Sequence, residues 1–147
     1  MSDATSHSPH SCLQAWRQLR SMYVTVEQQL TGALDAACGL TPVELEALVL
    51  IGDQPDGVRP GDMGSGVGLS QPAISRMIDR LQKRGLVETS ADPNDRRSVR
   101  VSLTSEGVTI AGQGMVVYTE TILVALNAML EPDRLQALYR AMAIPGR

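Results

Sequence analysis

Eight of the thirteen basic residues fall between positions 59 and 100: Arg59, Arg76, Arg80, Lys83, Arg84, Arg96, Arg97 and Arg100. Five acids share that segment (Asp62, Asp79, Glu88, Asp92 and Asp95), so it carries +3, while the chain of 147 residues carries −3 and the remainder therefore −6. A basic middle between acidic flanks is the asymmetry of a surface that binds a polyanion locally. Two groups within it have the side chains to read a duplex. Ser70, Gln71, Pro72, Ser75, Arg76 and Arg80 lie along the start of a segment with helical period. Gln71 is equipped to pair with adenine through two hydrogen bonds, and Arg76 with guanine or a phosphate. Ser70 and the unpaired amides of a first helical turn suit a phosphate, and Arg80, farther along, suits one too. Asp95, Arg96 and Arg97 form the second group, at a turn. An arginine on a narrow finger fits the minor groove, where the potential is most negative when the groove is narrow. Asp95 beside it is placed to orient a guanidinium.

Other chemistries lack their residues. There is no His-Glu-x-x-His, phosphate-loop, nucleophile-elbow or Cys-x-x-Cys motif, so neither an enzyme nor a cofactor is expected. Gly64, Gly66 and Gly68 lack the third glycine spacing and the βαβ frame of a dinucleotide loop. His7, His10 and Cys12 lie in or beside a polar tail (Met1 to Ser11), and no metal site is read from them. Cys12 and Cys38 are too few for a disulfide framework, no Lys or Arg immediately flanks either, and both are read as small buried apolar residues. Apolar residues are 43% and charged residues 20%, with 3% aromatics and no Phe, so aliphatic side chains must build the core of one domain. No apolar run approaches the roughly 18 residues of a membrane span. The polar start does not resemble a signal peptide, and a cytoplasmic protein without membrane contact is expected.

The elements that position these groups follow from period and punctuation. Cys12, Trp16, Leu19, Tyr23, Val26 and Leu30 recur at helical spacing, predicting a long amphipathic helix to about Cys38–Gly39. Thr41-Pro42-Val43-Glu44 is a capping box that opens a second helix with Leu45, Leu48 and Val49 on its buried face. Asp53 to Gly57 is turn chemistry. Gly61 to Val67 is short enough for a helix, although Gly64 and Gly66 each weaken it by roughly 1 kcal/mol relative to Ala. Ser70 caps a third, basic helix whose stripe Ile74, Met77, Ile78 and Leu81 turns inward, leaving Gln71, Ser75, Arg76, Asp79, Arg80 and Lys83 outward. Leu86 to Glu88 and Val99 to Leu103 read as strands around a turn at Ala91 to Asp95, hence a hairpin. Ala111, Met115, Tyr118, Ile122, Ala125 and Met129 restore the helical period, and a last helix carries Leu135, Leu138 and Met142. Two apolar seams, one at each end, exceed what a winged helix of about 65 residues needs for its own core. A pair of copies would bury them, reading half-sites about one helical turn apart.

The runs Gly68-Leu69-Ser70-Gln71-Pro72-Ala73-Ile74-Ser75-Arg76, Arg84-Gly85-Leu86-Val87-Glu88, Asp92-Pro93-Asn94-Asp95-Arg96-Arg97 and Leu103-Thr104-Ser105-Glu106-Gly107 resemble the MarR family of bacterial transcriptional regulators, closely from about Thr41 to Gly107. The resemblance implies a mainly α fold with a small β-hairpin wing, a winged helix-turn-helix flanked by N- and C-terminal dimerisation helices. It places a tail at 1–11, dimerisation helices at 12–40 and 105–147, and a DNA-binding lobe at 41–104. It further implies a homodimer on a pseudo-palindromic double-stranded operator, acting by family habit as a repressor. Arg97 matches the minor-groove arginine and Asp95 the acid that steadies it. A small, often aromatic and anionic effector is implied too, for which Trp16, Arg20 and Tyr23 offer stacking and charge if they are not simply seam core and solvated surface. Two alternatives stay open: a cysteine-based redox sensor of the same fold, and a winged-helix protein-interaction module without DNA contact. One departure stands out. Met63-Gly64-Ser65-Gly66 replaces the usual Leu-Ala pair and good helix formers, so the helix before the turn is expected to fray.

Overall fold

The computed structural model describes residues 9–129, apart from the side chains of Pro9, Ser11, Arg96 and Met129. Its elements are α1 (Pro9–Cys38), α2 (Pro42–Gly52), α3 (Pro60–Val67), α4 (Gln71–Lys83), β1 (Val87–Asp92), β2 (Asp95–Leu103) and α5 (Ser105–Met129). The expected last helix with Leu135, Leu138 and Met142, and the first eight residues of the tail, lie outside the described residues. The chain divides into two compact units: Thr31–Tyr118, and the pair Met1–Leu30 with Thr119–Arg147.

Within Thr31–Tyr118 the core is aliphatic, as a chain without Phe requires. Leu34, Leu45, Leu48, Met63, Ile74, Met77, Leu81 and Val101 are all fully buried. The capping box opens α2 as expected: the Glu44 N–H donates to Thr41 Oγ1 (3.3 Å) and the Thr41 N–H to Glu44 Oε2 (3.0 Å). α3 forms a two-turn helix despite its glycines, ended by Gly68 at φ +67°. Here packing outweighs propensity. A Cβ on Gly66 would stand 2.6 Å from Leu50 Cδ1, and one on Gly64 3.2 Å from the Leu69 carbonyl oxygen, so these glycines are what lets α3 lie close to its neighbours.

The hairpin is longer than the sequence suggested. β1 and β2 pair antiparallel from Val87↔Leu103 to Ala91↔Val99, with a register shift before Asp92. An additional bridge joins Val58 to Val101, each N–H donating to the other's carbonyl at 2.9 Å. The hairpin therefore grows from a third extended residue just ahead of α3.

The junction into α5 accounts for the Leu103-Thr104-Ser105-Glu106-Gly107 run. Thr104 Oγ1 accepts from the Gly107 N–H (3.0 Å) and donates to the Gly85 carbonyl (2.6 Å), while the Thr104 N–H donates to the Leu86 carbonyl (3.1 Å). One threonine thus caps α5 and ties it to the turn behind α4. Gly107 lets the helix touch that turn, since a Cβ there would lie 1.9 Å from Leu86 O.

Three expectations need correction. α1 begins at Pro9, so the polar stretch Pro9–Ser11 is helix, with proline tolerated at the start because its missing N–H has no intrahelical partner there. Cys12 is exposed, since the seam it belongs to is uncovered along this part of α1. Ser105–Ala128 of α5 is long and apolar enough to cross a membrane by length and composition, because Glu106 and Glu120 are its only charged residues and no continuous apolar run is needed.

Candidate nucleic-acid interface

The candidate surface is built on α4. Its stripe Ile74, Met77, Ile78 and Leu81 is buried, which turns Gln71, Ser75, Arg76, Asp79, Arg80 and Lys83 to solvent. Ser70 occupies the N-cap position in extended conformation, but its side chain makes no capping bond. The expectation of a capping serine therefore holds for its position and not for its bond, and the first-turn amides are not closed off by it. Pro72 in the first turn removes one donor and fixes the entry angle. The Gln71 side-chain amide donates to the Gly61 carbonyl (3.1 Å), which ties the head of α4 to the start of α3 and leaves its carbonyl oxygen as the acceptor.

Arg80 is held by a residue the sequence reading assigned only to a cap. Glu44, 6% exposed, accepts on Oε1 from Arg80 Nε (3.2 Å) and stands 3.2 Å from Arg80 Nη2 in an ion pair, while its Oε2 serves the Thr41 N–H. The Arg80 side chain is still 57% exposed. Arg80 is thus presented from a fixed base on α2. Arg84, just past the end of α4, donates from Nη1 to the Gly39 carbonyl (2.7 Å) and from Nη2 to the Cys38 carbonyl (3.0 Å). It satisfies carbonyls that the end of α1 leaves without helical partners.

The wing is organised by Asp92, whose carboxylate is fully buried. Its Oδ2 accepts from Arg59 Nε (2.7 Å) and Arg100 Nε (3.0 Å), and its Oδ1 from the Asn94 N–H (2.8 Å). Arg100 Nη1 adds bonds to the carbonyls of Asp56 (3.3 Å) and Gly57 (3.1 Å). The bond from Arg59, then that from the Asn94 N–H, hold the Asp92 carboxyl well below the usual carboxylate range, against burial that pushes it up. The same contact raises the Arg59 guanidinium. Sequence reading took Asp92 for turn chemistry and did not single out Arg59 or Arg100; the partners stand 33 and 8 residues away.

At the tip, Asp95 accepts from Ser98 Oγ (2.7 Å) and from the Arg97 N–H (3.0 Å), and these bonds, the serine's first, lower its carboxyl. Asp95 therefore steadies Arg97 through its backbone, where the sequence suggested its guanidinium. The Arg97 side chain is exposed. Arg96 belongs to β2, and its side chain lies outside the described ones.

Trp16, Arg20 and Tyr23 are exposed on α1, in the unit that holds Met1–Leu30. The Cys38 thiol is half-buried and donates to the Leu34 carbonyl at 3.3 Å. A cavity of about 330 Å³ opens in the other unit, lined by Leu45, Glu46, Val49, Leu50, Asp53, Met115 and Tyr118. None of Trp16, Arg20 and Tyr23 is among its walls.

Residues 40–99 match the model of the MarR family. The uncharacterized HTH-type transcriptional regulator YcgE of Bacillus subtilis is 31% identical over 97 residues, 66% of this chain and 60% of that protein. The multiple antibiotic resistance protein MarR of Escherichia coli is 38% identical over 78 residues, 53% of this chain and 41% of the relative. The chain spans about half the length of the curated relatives it matches. Its fold is similar to that of Sco3205, a MarR family transcriptional regulator from Streptomyces coelicolor solved in complex with DNA. The TM-score is 0.76 at 22% identity, covering 89% of this chain and 82% of that one.

Proposed function

From the premise that this chain belongs to the MarR family, we propose that it is a transcriptional regulator that binds double-stranded operator DNA as a homodimer, acting as a repressor in the cytoplasm. One observation carries the proposal. α4 presents Gln71, Ser75 and Arg76 from its first two turns with every large apolar side chain of that helix behind them, and a pinned hairpin presents Arg97. The N-terminal residues of such a helix reach base edges in the major groove, and an arginine finger follows the backbone into the minor groove. Arg80, based on Glu44, supplies a phosphate contact. Arg96, Ser70 and Pro72 complete the surface.

The dimer reading is supported by apolar side chains that this chain leaves uncovered. On α1, Leu13, Trp16, Leu19 and Tyr23 are exposed, and on α5, Leu123, Val124 and Leu126. Apolar surface on that scale marks an interface. The length and composition of α5 would also fit a bilayer, but Glu106 and Glu120 interrupt it and a second copy buries the same residues without desolvating them in hydrocarbon. Two copies then meet half-sites about 34–36 Å apart on a pseudo-palindrome. Release by a small effector belongs to the same proposal.

A salt titration of operator affinity tests it. A dimer using several arginines per subunit loses about 10³–10⁵ in affinity between 50 and 200 mM salt. A protein that binds no genomic fragment at low salt, or sediments as a single subunit, refutes the proposal.

A further inference from the structure

The cavity between α2 and α5 has a chemistry that the family resemblance did not imply. Glu46, Val49 and Leu50 share one face of α2, and Asp53, its C-cap residue, follows three positions after Leu50. With Leu45 and Met115 they make a pocket whose floor is aliphatic and thioether. Among the described residues, the charged side chains on its walls are acids, Glu46 and Asp53, with no Arg, Lys or His beside them. Tyr118 Oη donates to Glu46 Oε1 (3.2 Å), fixing one carboxylate at the rim and setting an aromatic ring beside it. The volume, about 330 Å³, is at the small end of the roughly 300–1,000 Å³ typical of ligand sites.

An anionic aromatic would enter this pocket against two carboxylates with no cation to meet its own charge. A lipophilic cation gains from both carboxylates and from the Tyr118 ring and polarisable Met115 side chain that line the cavity with them. We propose that this cavity is a binding site for a small organic cation of one or two rings, a quaternary or aromatic amine, and not for the anionic aromatic class. That it acts as the effector site rests on the regulator reading above; that it binds the cation does not. α2, which forms one wall, also holds Arg80 through Glu44 two positions before Glu46, so one helix serves both the cavity and α4.

The test uses the intact protein without DNA and benzyltrimethylammonium as probe, followed by titration calorimetry, with benzoate and benzyl alcohol as anionic and neutral comparators. The cation binds saturably and benzoate does not. Glu46→Gln and Asp53→Asn each weaken the cation about threefold, and the double variant about tenfold, as two partly exposed charge contacts should. Val49→Trp fills the cavity and removes binding while circular dichroism shows an unchanged fold. Benzoate binding at least as tight as the cation, full affinity in the double variant, or no saturation by the cation at millimolar concentration each overturns the proposal. Operator affinity of the same preparations is measured in parallel. Cation binding without DNA binding would sink the regulator reading and leave the site standing, and DNA binding without cation binding would do the reverse.

Discussion

Replacing Gly107 by alanine isolates the joint between the reading head and α5. Built on the present backbone, the new methyl would sit 1.9 Å from Leu86 O, 3.0 Å from Leu86 C and 3.4 Å from Leu86 Cα. The obstacle is backbone, so no side-chain rotation relieves it, and α5 must withdraw by more than an ångström. That withdrawal strains the bond from the Thr104 N–H to the same Leu86 carbonyl and the bond from Thr104 Oγ1 to Gly85. Overpacking of this kind costs about 1–3 kcal/mol, and a weakened hydrogen bond about 1 kcal/mol more. Against this stands alanine's helical advantage over glycine of about 1 kcal/mol. The net expectation is a loss of about 1–3 kcal/mol, read as a lowered urea midpoint at fixed protein concentration, and roughly 3–10 °C in Tm for a chain of this size. Gly112→Ala in the same helix is the control, because nothing lies within 4 Å of its added methyl and the propensity gain is unopposed. Should Gly107→Ala match or exceed wild type as Gly112→Ala does, close contact is not why glycine stands there.

Arg97→Ala should weaken operator binding most where the flank is A·T-rich, and Gln71→Ala should relax choice at one base position at a cost of about 1–3 kcal/mol there, both measured by binding to a panel of single-base operator variants. Glu44→Ala removes the capping box and the base of Arg80 together and should cost about 1 kcal/mol or more in denaturation. Glu44→Gln preserves the cap, so stability near wild type with a changed salt slope of DNA binding would separate the two roles. Asp92 is held below the ordinary carboxylate range, so its contribution is complete above its unfolded pKa and is lost as pH falls through its lower folded value. Thermal stability of wild type should therefore fall more steeply below about pH 4 than that of Asp92→Asn, and parallel curves would contradict the assignment. Amide exchange in α3 should be faster than in α4, because α3 has only two turns and three glycines; equal protection would show that packing against Leu50 fully replaces helix propensity.

What the sequence disclosed was whatever repeats or punctuates locally. The α4 stripe, the Thr41–Glu44 box and the end of α1 at Cys38–Gly39 are each determined within a few residues, and all stand where period and turn chemistry put them. The outward row on α4 followed from the same stripe. Contacts across long separations were not legible. Asp92 reads as a turn former until Arg59 is folded against it, and Arg84 reads as an ordinary helix-end cation until the end of α1 is seen beneath it. Val58 is a lone residue between Gly57 and Arg59, too short for a strand pattern, and it shows itself only by pairing with Val101. The start of α1 was misjudged because exposed helix and loose tail share a polar composition, and Cys12 because a seam residue counts as buried only if something covers it.

The mooring of the hairpin limits how it can give way. Its root is stitched to the segment before α3 at Val58, its middle is bolted there through Arg100, and Asp92 fastens the last residue of β1 to Arg59. Compliance is left to the handful of positions from Pro93 to Ser98, a short cantilever on a stiff bracket. Such a beam bends little along its length, so under the proposed DNA-binding reading a duplex of the wrong groove width would be turned away by geometry instead of being accommodated at an entropic penalty.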